Sequence, residues 1–507
     1  MTLSRPILGK VSRGAPRARR WRSPGQGLLV IALLAPILLA ALLTNSVSLH
    51  LLLALAVLPL AFAFVWRSPR TTIVALACWL VSLGLVRRLV GGGSAGGLGD
   101  PLLLVGPVVL VLLLIVACEH GAMRSLSPLA KAIGLLSLLA LVEVINPLQG
   151  GPLVGLAGLL FILVPMLAFW VGRSLVDDAT LGRLFRLLAG LAVLSAIYGL
   201  VQQFGGFPSW DERWIGSSGY GALNVGGVIR AFASFSSSQE YAVFLSIGLV
   251  ILVSSLKGTR KRLMPFHLAA IGLVGTALFL ESSRTPVVLT VVALGAMAAA
   301  RAGLRPMAAL LAGVLAVAIL SVALGHLGLA SQTSTSASAD PTGVLLQHEI
   351  SGLANPTGSD STLPGHVERT LAGLKSAFTL PIGYGTGSVT LASGRLGSTV
   401  GVGTEGDLGN AATALGLPGL VIYLAVAAGG LIGSYRLAVR RKDVLSLAIV
   451  GLVVVALLQW MNGDLYSVAW LVWLGLGWVD RQHGSLPRAA SSPSGVRTTG
   501  ERVYSRS

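Results

Sequence analysis

The sequence predicts an all-α, polytopic integral membrane protein with about 12–14 transmembrane helices and a large outer-side loop. Three observations predict it. Of the 507 residues, 54% are hydrophobic and only 11% charged, with a mean hydropathy of +0.81. A soluble domain of this length would need more charge to cover its surface. Continuous apolar runs such as 27–43, 101–118, 152–170, 306–323 and 444–458 are each long enough, as helices, to cross ~30 Å of hydrocarbon. Their continuity is unlike the alternation of a membrane β-barrel. Finally, the basic residues are divided unequally between alternate connections, as the positive-inside rule requires.

Taken in order, the runs predict fourteen spans: 27–43, 48–66, 71–86, 101–119, 128–145, 152–171, 184–204, 240–256, 265–281, 285–300, 306–326, 413–435, 443–461 and 465–479. With the N-terminus cytoplasmic, 29 of the 37 Lys and Arg residues fall inside and 8 outside. Both termini are then expected in the cytoplasm of a cell whose cytoplasmic membrane holds the chain. The first run, preceded by Arg13, Arg17, Arg19, Arg20 and Arg22, has signal-peptide polarity. It is long and lacks a small-residue cleavage site, so an uncleaved first span is expected.

The organisation that follows is a basic cytoplasmic tail (1–26), N-terminal helices (27–204), a first outer loop (205–239) and helices joined by a Ser-Arg hairpin (240–326). A large outer loop (327–412), C-terminal helices (413–479) and a disordered cytoplasmic tail (480–507) complete it. In the large loop, Ser331–Ala339 is low-complexity and predicted mobile. Val367, Leu371, Leu374 and Phe378 then recur at helical spacing, predicting an amphipathic helix over 365–378 that rests on the membrane surface or caps the bundle.

The net charge of +18 does not indicate nucleic acid, because the basic residues lie in short loops and tails between spans. Cys78 and Cys118 fall inside apolar runs and imply neither a disulfide nor a metal framework. The chain has no HExxH, no Walker loop, no Cys/His cluster and no outer Asp-x-Asp. A metal-dependent mechanism using a nucleotide sugar thus has no support, and no cofactor is expected.

Cationic groups at membrane level are costly unless they meet anions. Arg230 and Arg284, at the edges of apolar runs, are expected on the same side. Arg230 precedes a run of small and hydroxyl residues, Ala-Phe-Ala-Ser-Phe-Ser-Ser-Ser, with donors suited to phosphate. The alternative is an arginine snorkelling to the headgroups. Arg284 sits in a tight turn beside Glu281, Ser282 and Ser283. A guanidinium fork matches phosphate oxygens, whereas a local Glu281–Arg284 pair would be purely structural. Gly383, Gly385 and Gly387 alternate after the amphipathic helix, allowing backbone to approach a ligand or fold tightly. Glu405 and Asp407, at the edge of the twelfth span, are placed to take a proton from a sugar hydroxyl, or are solvated loop acids. Asn410 is a candidate cap for that span. Arg369 completes the expected substrate-binding set of Arg230, Arg284, Ser283, Gly383 and Gly385.

Four motifs in order resemble the O-antigen ligase and O-antigen polymerase superfamily of bacterial membrane glycosyltransferases. They are Arg230 to Phe235, Ser282-Ser283-Arg284, the Pro-x-Gly-x-Gly-x-Gly stretch from Pro381 to Gly387, and Leu-Gly-Leu-Pro-Gly-Leu from Leu415 to Leu420. The resemblance spans roughly 205–431. It implies a GT-C-like helical fold, metal-independent transfer, and two arginines that bind the diphosphate of a polyprenyl-linked oligosaccharide donor. Its partners would be that donor, a glycan acceptor, membrane lipids and envelope polysaccharide assembly machinery. The family's outer-loop His-Asn pair, which supplies the ligase base, is replaced here by Glu405-Gly406. This favours a polymerase-like relative in which Glu405, or Asp407 in its place, is the base. A lipid-linked glycan flippase or polysaccharide transporter without bond chemistry is the alternative, and an envelope scaffold is a third reading. Few midplane charges favour the transporter; Glu143 is the main one.

Overall fold

The computed structural model describes residues 49–90, 100–218, 223–326, 341–355, 363–389, 404–461 and 463–485, all within the unit Ser48–Ser507. The predicted first span (27–43), the low-complexity stretch 331–339 and residues 486–507 of the predicted disordered tail (480–507) lie outside the described residues, while residues 480–485 of that tail are helical, with Asp480 buried.

Ten helices among the described residues are long and apolar enough to cross a membrane. Helix α1 (Leu49–Arg67) is followed by α2 (Pro69–Val90), α3 (Val105–Glu119), α4 (Pro128–Val142), α5 (Pro152–Leu175) and α6 (Asp178–Gly205). A short helix α7 (Ser209–Ser218) and a two-stranded hairpin, β1 (Asn224–Val225) and β2 (Val228–Ile229), lead into α8 (Ser238–Ser255). Then come α9 (Met264–Leu280), α10 (Arg284–Ala302) and α11 (Pro306–His326). Two further helices, α12 (Pro341–Ala354) and α13 (Leu363–Thr379), precede α14 (Gly406–Arg441), α15 (Val444–Val455) and α16 (Ala469–Ser485).

The helix starts are written in polar residues. Ser127, Asp177, Ser237 and Asp443 cap α4, α6, α8 and α15 by accepting the backbone N–H of Ala130, Thr180, Glu240 and Ser446. Between the caps the runs are apolar all round, as a membrane interior demands. Outward positions such as Leu135, Leu153, Leu194, Leu311 and Ile319 remain exposed and form the apolar flank of the bundle.

The core is tightest where small residues let helices meet. α5 and α16 cross with Gly172 against the Leu474 carbonyl and Gly477 against the Phe169 carbonyl, where an added Cβ would lie 2.1 and 2.0 Å away. Around this crossing, Trp460, Trp470, Trp473 and Trp478 are fully buried.

Charged pairs gather at the two ends. At one end Arg173 meets Asp480 (2.6 Å), Arg441 meets Asp178 (2.7 Å) and Arg70 meets Asp177 (3.0 Å). At the other, Arg87 meets Asp100 (2.6 Å) and Arg88 meets Asp211 (2.7 Å). The sequence places Arg87 and Arg88 in a connection. They occupy the last turn of α2 instead and are buried.

The predicted spans from 48–66 to 306–326 each meet one helix with ends shifted by a few residues. The C-terminal part departs more. α14 begins at Gly406 rather than 413, because 406–412 is rich in Gly and Ala and helical without being strongly apolar. Asn410 is therefore inside the helix, and Glu405 occupies the cap position without a side-chain cap bond. The predicted 443–461 span is helical only over Val444–Val455.

Candidate functional site

Arg230 follows β2 directly and is fixed by what surrounds it. Its backbone N–H donates to the Leu223 carbonyl (2.7 Å) across the hairpin. Beyond it, the buried Arg88 donates to the carbonyls of Ala233 and Phe235, and the Gln202 amide oxygen accepts the N–H of Phe232 (3.0 Å) and Ala233 (2.7 Å). Ser237 is spent as the cap of α8. The small-residue stretch is thus not an open phosphate cradle. Several of its donors are satisfied internally, so the segment that follows Arg230 is fixed by Gln202 and Arg88.

The Arg230 guanidinium points at the turn between α9 and α10. Its Nη1 donates to Ser283 Oγ (2.9 Å) and the Ser282 carbonyl (3.2 Å), and it lies 3.6 Å from Glu281 Oε1. The local Glu281–Arg284 pair, the structural alternative in the sequence reading, is replaced by a Glu281–Arg230 pair. Ser282 holds a left-handed backbone (φ 66°), and its hydroxyl donates to the Leu345 carbonyl (3.0 Å), tying the turn to α12.

Arg284 opens α10 and reaches α12. Its Nε and Nη2 donate to the His348 carbonyl (3.2 and 2.6 Å), and Nη2 also meets His348 Nδ1 (3.2 Å). Gly352 makes this possible, since a Cβ there would fall 1.8 Å from the guanidinium carbon. Arg230 therefore reaches the turn from which Arg284 departs toward α12, at one end of the bundle.

Two acids and a histidine complete the cluster. Burial pushes the Glu281 carboxyl up to about 8, against the opposing pull of Arg230 and the Ser283 hydroxyl. Burial likewise pushes Glu349 up to about 7, against the charges of Arg284 and Arg230. Glu349 is 0% exposed, and neither of its oxygens accepts a hydrogen bond among the described residues. Burial, and then the two arginine charges, lower His348 to about 4, so its ring is neutral at physiological pH. Sequence reading missed His348 and Glu349 because they carry no motif. The only available signal was an acid in a helical segment flanked by apolar residues, Val344–Leu346 and Ile350.

Glu405 and Arg369 form a second group. Glu405 Oε2 accepts from His366 Nδ1 (2.7 Å) and lies 3.3 Å from Arg369 Nη1, so both partners come from α13. The His366 hydrogen bond is the largest influence holding the Glu405 carboxyl below its usual range. Asp407 is different. It is 0% exposed, and its oxygens accept from the Tyr423 hydroxyl and the backbone N–H groups of Trp460 and Met461. That is a structural anchor between α14 and the chain after α15, not an acid at an accessible edge. Glu240 is also committed, accepting the Ser467 N–H (2.6 Å).

Gly383 approaches protein backbone and Gly385 the Gln149 side chain, instead of an open site. Both have positive φ (88° and 97°). A Cβ on Gly383 would lie 2.6 Å from the Gly416 nitrogen, and one on Gly385 2.4 Å from Gln149 Oε1. The reason lies in α14, which breaks at Gly416 (φ 65°, ψ −162°) ahead of Pro418. The break frees the carbonyls of Thr413 and Ala414, which accept from Tyr384 (2.8 Å) and Gly385 (3.0 Å). The glycine stretch and the Leu-Gly-Leu-Pro-Gly-Leu motif are thus one structural unit.

Among the described residues, no group of three His, Cys, Asp or Glu side chains is placed to hold a metal ion. No protein-family model matches the chain, and no curated protein matches it.

Proposed function

We propose that the protein is a membrane glycosyltransferase of GT-C-like design that polymerises or ligates polyprenyl-diphosphate-linked glycan at the outer face of the cytoplasmic membrane. One observation carries the reading: Arg230, 54 residues earlier in the chain, reaches the Ser282-Ser283 turn from which Arg284 extends to His348, at one end of a membrane-sized bundle. Two fixed guanidinium groups at membrane level suit a lipid-borne diphosphate. In the reaction, an acceptor hydroxyl oxygen bonds to the anomeric carbon. The bond from that carbon to the phosphate oxygen breaks, and its electron pair leaves on the diphosphate. Arg230 and Arg284 neutralise the charge gathering there, with Ser283 holding Arg230. The hydroxyl proton passes to Glu405, which stands bonded to His366. Arg369 helps fasten α13 beside Glu405, where the helix limits access of water.

The test is purified protein in liposomes with lipid-linked oligosaccharide. Chain growth that Arg284→Gln abolishes, with membrane expression unchanged, is the expected result. Translocation of the lipid-linked glycan without growth would make the protein a flippase, and neither activity would remove both readings.

A further inference from the structure

The arginines given to the diphosphate already have company. Glu281 and Glu349 are 1% and 0% exposed, and both belong to the same cluster. Glu281 pairs with Arg230 at 3.6 Å, and the charges of both arginines act on Glu349. With both carboxylates ionised, the two guanidinium charges are balanced inside the protein.

A diphosphate diester brings two more negative charges. Added to two ionised carboxylates, it would set four negative charges against two positive ones in a place shielded from water, where repulsion is far stronger than in solvent. Balance returns if the carboxyls become neutral. A protonated carboxyl also gains an O–H donor in place of a repelling oxygen, and the Glu349 oxygens are uncommitted among the described residues.

We propose that Glu281 and Glu349 are exchange partners of the diphosphate: when the anion docks on Arg230 and Arg284, Glu281 gives up Arg230 and both buried carboxylates take up protons, so that diphosphate binding is coupled to proton uptake. This rests on the diphosphate reading given above.

The other groups facing the pair do not take this part. His348, on α12 beside Glu349, receives a hydrogen bond from Arg284 and is held neutral, its proton affinity lowered to about 4. Ser283 is bonded to Arg230 from the turn, and the Tyr241 hydroxyl of α8 lies in the field of Glu281. Arg230 and Arg284 are guanidinium groups and stay charged. The two carboxyls, pushed by burial to about 8 and about 7, are the groups poised to exchange protons near neutrality. Below about pH 7 both already hold a proton and binding has none to take up; above about pH 8 it must draw them from solvent.

The test is calorimetry of the detergent-solubilised full chain with a farnesyl diphosphate-linked sugar, a diester with no titrating group across the scan from about pH 6 to about pH 9. Binding should be level up to about pH 7 and weaken above about pH 8, by about tenfold per pH unit for each proton taken up. Near pH 8, the heat should vary with the ionisation enthalpy of the buffer, which reports proton uptake by the wild type without any variant. Glu281→Gln with Glu349→Gln should flatten the pH profile and retain binding above pH 8. Wild-type binding that is independent of pH and buffer would overturn the coupling while leaving the diphosphate reading intact. No wild-type binding at any pH would overturn both.

Discussion

Gly352 shows how much a single missing side chain can decide. The Arg284 guanidinium lies where a Cβ at this position would be, 1.8 Å from its central carbon. Gly352→Val should expel Arg284 from α12 and cut glycan transfer to the level of Arg284→Gln without loss of membrane expression; near-normal transfer would show that this contact is dispensable. Arg88 makes a stability prediction. Its side chain and that of Asp211 are fully buried and 2.7 Å apart. Breaking a buried pair by removing one partner typically costs about 3–5 kcal/mol, so Arg88→Ala should lower the unfolding temperature in detergent markedly. It should also loosen the segment that fixes Arg230, since Arg88 holds the carbonyls of Ala233 and Phe235. The acids of the cluster carry a pH signature of their own. Between their ordinary value of 4.5 and their raised values of about 7 and about 8, the folded state keeps protons that the unfolded chain has lost. Stability therefore declines as pH rises through that window and levels off above it. Glu281→Gln with Glu349→Gln should reduce the decline, measurable as unfolding temperature against pH.

At the scale of elements, α13 behaves in a way its sequence only half discloses. The predicted amphipathic helix is present, but of its Val/Leu/Phe stripe only Leu374 packs against α14, beside Ala412 and Leu420. Val367, Leu371 and Phe378 stay exposed, while Gly373, Ser376 and Ala377 are buried against α14. The small face allows close approach, with Gly373 resting against Thr404 and Gly409. The exposed stripe is then free to lie on lipid. Glu405 fastens this helix from the start of α14 through His366 and Arg369. Glu405→Gln should raise hydrogen exchange across 363–379 and lower glycan transfer; full activity in this variant would remove Glu405 as the base. The glycine stretch tells a similar story. Sequence alone leaves open whether Gly383 and Gly385 approach a ligand or a fold. The freed carbonyls of Thr413 and Ala414 account for the approach.

For the whole molecule, the helices were legible because hydropathy is a local property: an apolar run of span length has to be a helix in lipid. The start of α14 was less so, since 406–412 is Gly- and Ala-rich and helical without being strongly apolar, and α15 ends at Val455 inside an apolar run whose Trp460 and Met461 N–H groups turn to Asp407 instead. The site was legible only as types of residue. Arg230 and Arg284 stood out by their cost in an apolar chain, but the Arg230–Ser283 contact joins residues 53 apart. The Arg88 bond to Phe235, across 147 residues, leaves no trace in either local sequence. Glu349 was passed over because burial, which gives it its character, comes from the packing of α12 on α9, α10 and α11. The orientation we propose from the distribution of Lys and Arg yields a prediction. In a chain with Cys78 and Cys118 replaced by Ser, a cysteine in place of the exposed Glu368 should react with an impermeant reagent added outside cells. One in place of the exposed Arg436 should react only after the membrane is opened. The reverse pattern would invert the topology.

The central claim is that Arg230 and Arg284 act together on one lipid-borne diphosphate. Its most direct test is the affinity of a polyprenyl diphosphate-linked sugar for the wild type, for Arg230→Gln, for Arg284→Gln and for the double variant. The account predicts that each single change weakens binding by roughly tenfold or more and that the losses in the double variant are not additive, as expected of residues sharing a ligand. Undiminished affinity in both single variants would contradict it.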